Sequence, residues 1–245
     1  MKQRGGKPVF GACVGILMLD GHFPRVPGDM GNALTWPFPV QYRVVGGASP
    51  DLVVRNDPRS MTDDFIEAAR DLVRCGADGI TTNCGFLALI QDELQSAVPV
   101  PVATSSLMQV PMVSAILPPG KRVGILTISK ATLTNAHLDA AGAPRDTPVV
   151  GTDSGQEFTR AILGNELEID FAACRNDMIA AADELLEEHS NIGAIVLECT
   201  NMVPYAADIR RHTGLPVFSI YSFVSWFQAG LVPPAFSDDI IDTRY

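Results

Sequence analysis

The chain has no C-x-x-C pair, no glycine-rich phosphate loop and no long apolar run free of proline. Each absence removes a class of protein. Its five cysteines, at 13, 75, 84, 174 and 199, are odd in number and widely spaced, so neither a disulfide framework nor a structural zinc site is expected. Gly28 and the Gly46-Gly47 pair make no dinucleotide or P-loop fingerprint, and the four histidines share no spacing, so no cofactor and no metal are expected. The most apolar long stretch, Val98 to Leu117, is interrupted by Pro99, Pro101 and Pro111 and carries Thr104, Ser105, Ser106 and Gln109, which argues against a membrane span. Basic residues are scarce. Lys and Arg total 18 against 28 Asp and Glu, a net charge of -10, the wrong sign for a nucleic-acid partner. The basic segment Met1 to Lys7 is not followed by the apolar core of a signal peptide, so a cytoplasmic location is expected.

What is present is apolar. Hydrophobic residues make up 47% of the 245 positions and charged residues 19%, enough for one large domain or two compact halves. Short β-branched runs alternate with longer helical patterns, as in parallel strands joined by right-handed helical crossovers. The strands are expected at Cys13 to Leu19, Gly79 to Asn83, Val100 to Thr104, Arg122 to Ile128, Pro148 to Gly151, Ala194 to Glu198 and Pro216 to Ile220. Met61, Phe65, Ala69 and Leu72 recur at helical spacing behind Ser60 or Thr62 as N-cap, and Phe171, Cys174, Met178, Ala182 and Leu185 do the same later.

The halves repeat. Val14-Gly15-Ile16-Leu17 matches Val123-Gly124-Ile125-Leu126, an offset of 109 positions from 14 to 123. Gly79-Ile80 through Cys84 matches Ala194-Ile195 through Cys199, and Pro101-Val102 matches Pro216-Val217, both at an offset of 115. The six extra residues fall in connections, where insertions are tolerated. Cys84 and Cys199 thus occupy equivalent places, each at a strand's carboxyl end before a helix, where open α/β sheets bind ligands. The positive end of a helix dipole favours thiolate, so each is a candidate base. Cys13, Cys75 and Cys174 read as core thiols.

The paired Asn83-Cys84 and Cys199-Thr200 motifs, with the repeat around them, resemble the cofactor-independent, two-cysteine aspartate/glutamate/hydantoin racemase superfamily over nearly the whole chain. The resemblance implies an α/β fold of two pseudo-symmetric αβα halves, each with a mainly parallel four-stranded sheet and with the active site in the cleft between them. The first half would span 1-105, completed by 221-245, and the second 106-220. It implies Cys84 and Cys199 as catalytic residues. Ala131-Thr132-Leu133 resembles the family's small-Thr-apolar segment, which suggests Thr132 as a carboxylate ligand. Asn201 stands where glutamate racemases usually carry His, and Asp20 opens a long Gly- and Pro-rich stretch in place of a short Asp-Ser-Gly turn, so glutamate itself is not the expected substrate.

Two thiols on opposite walls can invert a carbon beside a carboxylate, one removing a proton and the other returning one. Gly85 and Thr200 offer backbone N–H groups to the developing negative charge, and Asn83, Thr200 and Asn201 offer side chains. Glu198 either holds Cys199 protonated by like-charge repulsion or forms a salt bridge. The 20–57 stretch is too long for a simple loop and is expected to cover the cleft or a second subunit. Arg25 and Arg43 are its candidates for pairing with a substrate carboxylate. The reading is a homo-oligomeric racemase or epimerase of an amino acid or cyclic derivative. A decarboxylase, a cis-trans isomerase and a non-catalytic carboxylate-binding protein are its alternatives.

Overall fold

The structure is a computed structural model that describes residues 2–238. Two four-stranded parallel sheets repeat one another. The first has β1 (Val14–Leu19), β2 (Val40–Val45), β3 (Gly79–Thr82) and β4 (Val102–Ala103) in the order β2-β1-β3-β4. The second has β5 (Arg122–Thr127), β6 (Val149–Gly151), β7 (Ile192–Leu197) and β8 (Val217–Phe218) in the order β6-β5-β7-β8. Every strand pair is parallel. The helices are α1 (Pro50–Arg55), α2 (Thr62–Cys75), α3 (Gln91–Ala97), α4 (Val110–Ile116), α5 (Asn135–Ala140), α6 (Phe158–Leu163), α7 (Phe171–Glu188), α8 (Ala206–Thr213) and α9 (Ile220–Leu231).

The central strands β1, β3, β5 and β7 are almost wholly buried, because helices cover both faces of each sheet. Helix α2 turns Phe65, Ala68, Ala69 and Leu72 into the core. It stops at Gly76, which adopts φ 115° and caps the Leu72 and Val73 carbonyls; a Cβ there would lie 2.7 Å from the Val9 carbonyl. Its N-cap position is Met61 rather than Ser60 or Thr62, because a 3-10 turn, Pro58–Met61, runs directly into the helix. Helix α7 is capped by Asp170, whose carboxylate accepts from the Ala172 and Ala173 N–H groups.

One departure from the sequence reading matters for the site. The 20–57 stretch is not all cover. Its second part forms β2, the edge strand beside β1, and then α1. Helix α9 packs on the first sheet, where Phe227 and Leu231 close over Gly79 and where Ile220, Phe223 and Val224 join Val14, Ile16 and Met18 in one cluster. The part of the 221-245 segment from 239 onward lies outside the described residues. Among the described residues no helix is long and apolar enough to cross a membrane.

Candidate active site

The repeat brings its two most reactive positions to one place. β3 ends at Thr82 and runs through Asn83 into Cys84, the residue before a 3-10 turn, Gly85–Ile90. β7 ends at Leu197 and runs through Glu198 into Cys199, before the equivalent turn, Thr200–Tyr205. The ends are held by hydroxyl donors, the first of which crosses between the halves. Thr200 Oγ1 donates to the Asn83 carbonyl at 2.5 Å, and Ser106 Oγ donates to the carbonyls of Leu197 and Glu198 at 2.6 and 3.0 Å.

Both thiols line one cavity together with Asn83, Glu198, Asn201 and Arg25. Its other walls are Leu19, Phe23, Pro50, Val54, Phe86, Ile128, Ile162 and Leu163. The cover segment supplies Phe23 and Arg25, α1 supplies Pro50 and Val54, and α6 from the second half supplies Ile162 and Leu163. The cover is seated on the second half by His22 N–H donating to Asn165 Oδ1 at 2.6 Å and by Gly28, which at φ 105° lies against Pro204. The enclosed space is about 20 Å3, room for a water molecule and too small for an organic acid.

Arg25 is held by Asp29 at 2.8 Å through Nη1 and lies over the Phe23 ring at 4.4 Å. Among the described residues its buried Nη2 has no partner. Asp29 also accepts from Asn201 Nδ2 at 2.5 Å, and Asn201 Oδ1 accepts from Cys199 Sγ at 3.6 Å. Hence Arg25, Asp29, Asn201 and Cys199 form one chain of contacts from cover to thiol.

Glu198 is fully buried. Its Oε2 accepts from Thr127 Oγ1 at 2.8 Å, the Ile128 N–H also donates to its carboxylate, and its Oε1 has no partner. Among the described residues it makes no ion pair, which argues against the salt-bridge alternative. Burial pushes its carboxyl up to about 7, against the two hydrogen bonds that favour the charged form. Gly85 lies directly against it, and a Cβ there would overlap Oε1.

The thiols are not the low-pKa groups expected from helix dipoles. Burial raises both, and the Glu198 charge raises them further; the backbone N–H groups of Phe86 and Leu87 at Cys84, and of Asn201 at Cys199, oppose this only in part. Desolvation in a closed cavity outweighs the end of a short 3-10 turn.

Three candidates lie elsewhere or act indirectly. Thr132 does not reach the thiols. The chain turns through it before α5 begins behind Thr134, and Thr132 lines a neighbouring, more open pocket of about 330 Å3 with Asp57, Arg59 and His137. Arg43 is on β2 and pairs with Asp71 at 2.9 Å, away from the cavity. Thr200 is spent on the Asn83 carbonyl. Phe23, Ile162 and Leu163 are walls that no local motif announces.

A titration of stability checks the Glu198 environment. The fold holds a proton that the unfolded carboxyl gives up near 4.5, so this stabilisation is full below that pH and is lost as pH rises through about 7. Glu198→Gln keeps the shape and removes the slope. Relative to wild type it should gain on the order of 3 kcal/mol between acid and mildly alkaline pH, read from urea midpoints.

No protein-family profile matches the chain. It is 27% identical over 232 residues to a dimethylsulfoniopropionate lyase of Durusdinium sp. clade D, covering 90% of this chain and 75% of that one. It is 28% identical over 216 residues to dimethylsulfoniopropionate lyase 3 of Emiliania huxleyi, covering 84% of this chain and 56% of that one. The chain therefore spans little more than half of the Emiliania relative. Among solved structures, glutamate racemase from Bacillus anthracis aligns with a TM-score of 0.63 at 16% identity, covering 90% of this chain and 81% of that one. Arylmalonate decarboxylase aligns at 0.56 and 15%, covering 91% and 94%. The allantoin racemase of Pseudomonas fluorescens gives 0.53 and 15%, covering 93% and 99%. The chain has the aspartate/glutamate/hydantoin racemase superfamily fold. In this fold the two-cysteine cavity lies where the two halves meet, and the relatives and neighbours are by name lyases, decarboxylases and racemases.

Proposed function

We propose that the chain is a cofactor-free lyase that removes a proton from the carbon beside a carboxylate and expels a leaving group from the next carbon, with dimethylsulfoniopropionate as its substrate type. One observation carries the chemistry: two thiols and an unpaired guanidinium nitrogen share a small cavity whose remaining walls are mostly apolar. The names of the sequence relatives favour elimination over the racemisation expected from the motifs.

Arg25 Nη2 holds the substrate carboxylate and takes up the charge that develops on it when the neighbouring C–H bond breaks. Cys84 is the base. Two N–H groups, from Phe86 and Leu87, favour its thiolate, against one at Cys199, whose own hydrogen goes to Asn201. Loading brings the positive sulfonium toward the thiols and favours the thiolate further. The proton passes from C2 to Cys84 sulfur, the C–H electron pair becomes the C2–C3 double bond, and the C3–S pair leaves on sulfur. The products are acrylate and dimethyl sulfide. Cys199 remains a thiol and donates within the site.

The test is incubation of the purified protein with dimethylsulfoniopropionate, following acrylate by proton NMR and dimethyl sulfide in the headspace. Equimolar release supports the reading, and its absence at substrate concentrations that saturate binding sinks it. Arg25→Lys keeps a charge for Asp29 but loses the second guanidinium nitrogen. It should raise KM about tenfold or more with a smaller change in kcat. Equal KM values would remove Arg25 from carboxylate binding.

A second reading, two-base racemisation, is favoured by the equivalent positions of Cys84 and Cys199. It requires both sulfurs equally, and it exchanges the α-hydrogen without loss of substrate skeleton.

A further inference from the structure

The two halves treat one position differently. In the first, Leu19 N–H donates to Asn83 Oδ1 at 2.7 Å, and Asn83 N–H donates to the Leu17 carbonyl at 3.0 Å. In the second, at the offset of the repeat, Ile128 N–H donates to the Glu198 carboxylate and Glu198 N–H donates to the Leu126 carbonyl at 2.8 Å. A neutral carboxamide therefore suffices to tie the end of the central strand. The second half uses a carboxylate instead, fully buried, with no cationic partner among the described residues and with Oε1 unpaired. An unpaired buried acid is costly and adds nothing to that tie.

Among the described residues the cavity's other unpartnered buried side-chain atom is Arg25 Nη2, on a guanidinium whose Nη1 pairs with Asp29. A residue with an unpaired cationic donor and one with an unpaired acidic acceptor thus line the same cavity as the two thiols. We propose that Glu198 is the cation-recognising residue of this site, facing the positive centre of a zwitterionic substrate whose carboxylate is held by Arg25, and that it selects an onium group bearing only carbon over a primary ammonium. This deepens the elimination reading above and rests on its carboxylate site.

The selection follows from counting donors. Glu198 has one free oxygen, and a primary ammonium brings three N–H groups. Leu19, Phe23, Phe86 and Ile128 offer no side-chain acceptors for the remainder, and the amide oxygens of Asn83 and Asn201 already accept from Leu19 N–H and Cys199 Sγ. A sulfonium or quaternary ammonium brings the charge without donors, and its methyl groups suit apolar and aromatic walls. The polar groups facing Glu198 are the two thiols, the Thr127 hydroxyl and the Ile128 N–H, none of them cationic. Its carboxyl, at about 7, is poised to be held ionised when a cation arrives.

The test is calorimetric binding at mildly alkaline pH of three ligands: trimethylammonium propanoate, its neutral tert-butyl analogue and β-alanine. Wild type should bind the trimethylammonium zwitterion about tenfold or more tighter than the neutral analogue, a difference of about 1.4 kcal/mol. It should bind β-alanine more weakly than either. Glu198→Gln should abolish the preference for the zwitterion while binding the neutral analogue at least as well. An unchanged preference in Glu198→Gln, equal binding of zwitterion and neutral analogue by wild type, or tighter binding of β-alanine overturns the proposal and leaves the carboxylate site standing. If none of the three binds wild type, the carboxylate site fails and the proposal with it. Should Glu198→Gln fail to fold, the three wild-type affinities decide the matter.

Discussion

Cys84→Ser should lower kcat for elimination by about a thousandfold or more, while Cys199→Ser should lower it clearly less. The size comes from removing the base outright. A serine hydroxyl in this cavity receives the same Phe86 and Leu87 N–H groups, yet it starts far less acidic than a thiol and suffers the same burial. The inequality comes from the roles. Cys199 is a hydrogen-bond donor to Asn201, and a serine hydroxyl can still donate there, at the shorter distance suited to oxygen. Single-turnover rates of the two variants decide it. Equal and complete losses would favour the symmetric two-base reaction.

Gly85→Ala should be nearly as damaging, and through packing. A Cβ at this position would overlap Glu198 Oε1 and lie 2.5 Å from the Glu198 carbonyl oxygen. The carbonyl is backbone and is fixed by Ser106 Oγ, so it cannot turn aside. The carboxylate cannot turn without leaving Thr127 and Ile128. Overpacking in a filled interior costs about 1 to 3 kcal/mol, which for a chain of this size corresponds to a melting point roughly 2 to 12 °C lower. The folded fraction should also have lost most of its turnover, since the displaced groups are the cavity wall between the thiols. A thermal melt and kcat on the same sample test both parts, and a stable, fully active Gly85→Ala would refute the close approach of the two halves.

The internal repeat makes most of the fold legible in the sequence. Val-Gly-Ile-Leu at 14 and 123 marks the central strand of each sheet, and Cys84 and Cys199 lie at matching strand ends because the sheets repeat. β2 is not legible because it is an edge strand. Arg43, Val44 and Tyr42 are exposed, and Val40-Gln41-Tyr42-Arg43 lies among prolines and glycines that read as loop. The thiol environment is not legible either. A helix-dipole argument is local, whereas desolvation depends on Phe23 from the cover and Ile162 from α6, distant in sequence. Thr132 has the right local motif, but the chain turns it toward His137. Glu198 carries a readable signal. The offset of 115 aligns it with Asn83, and a charged residue replacing an amide at a repeated buried position marks a requirement beyond the fold.

The central claim is that turnover begins with loss of the proton beside the carboxylate. It is tested most directly by comparing dimethyl sulfide release from dimethylsulfoniopropionate deuterated at C2 with release from the same compound deuterated at C3. The account predicts slower turnover for the C2-deuterated substrate alone, with acrylate and dimethyl sulfide formed in equal amounts. Turnover that is indifferent to deuterium at C2, or slowed only by deuterium at C3, would contradict it.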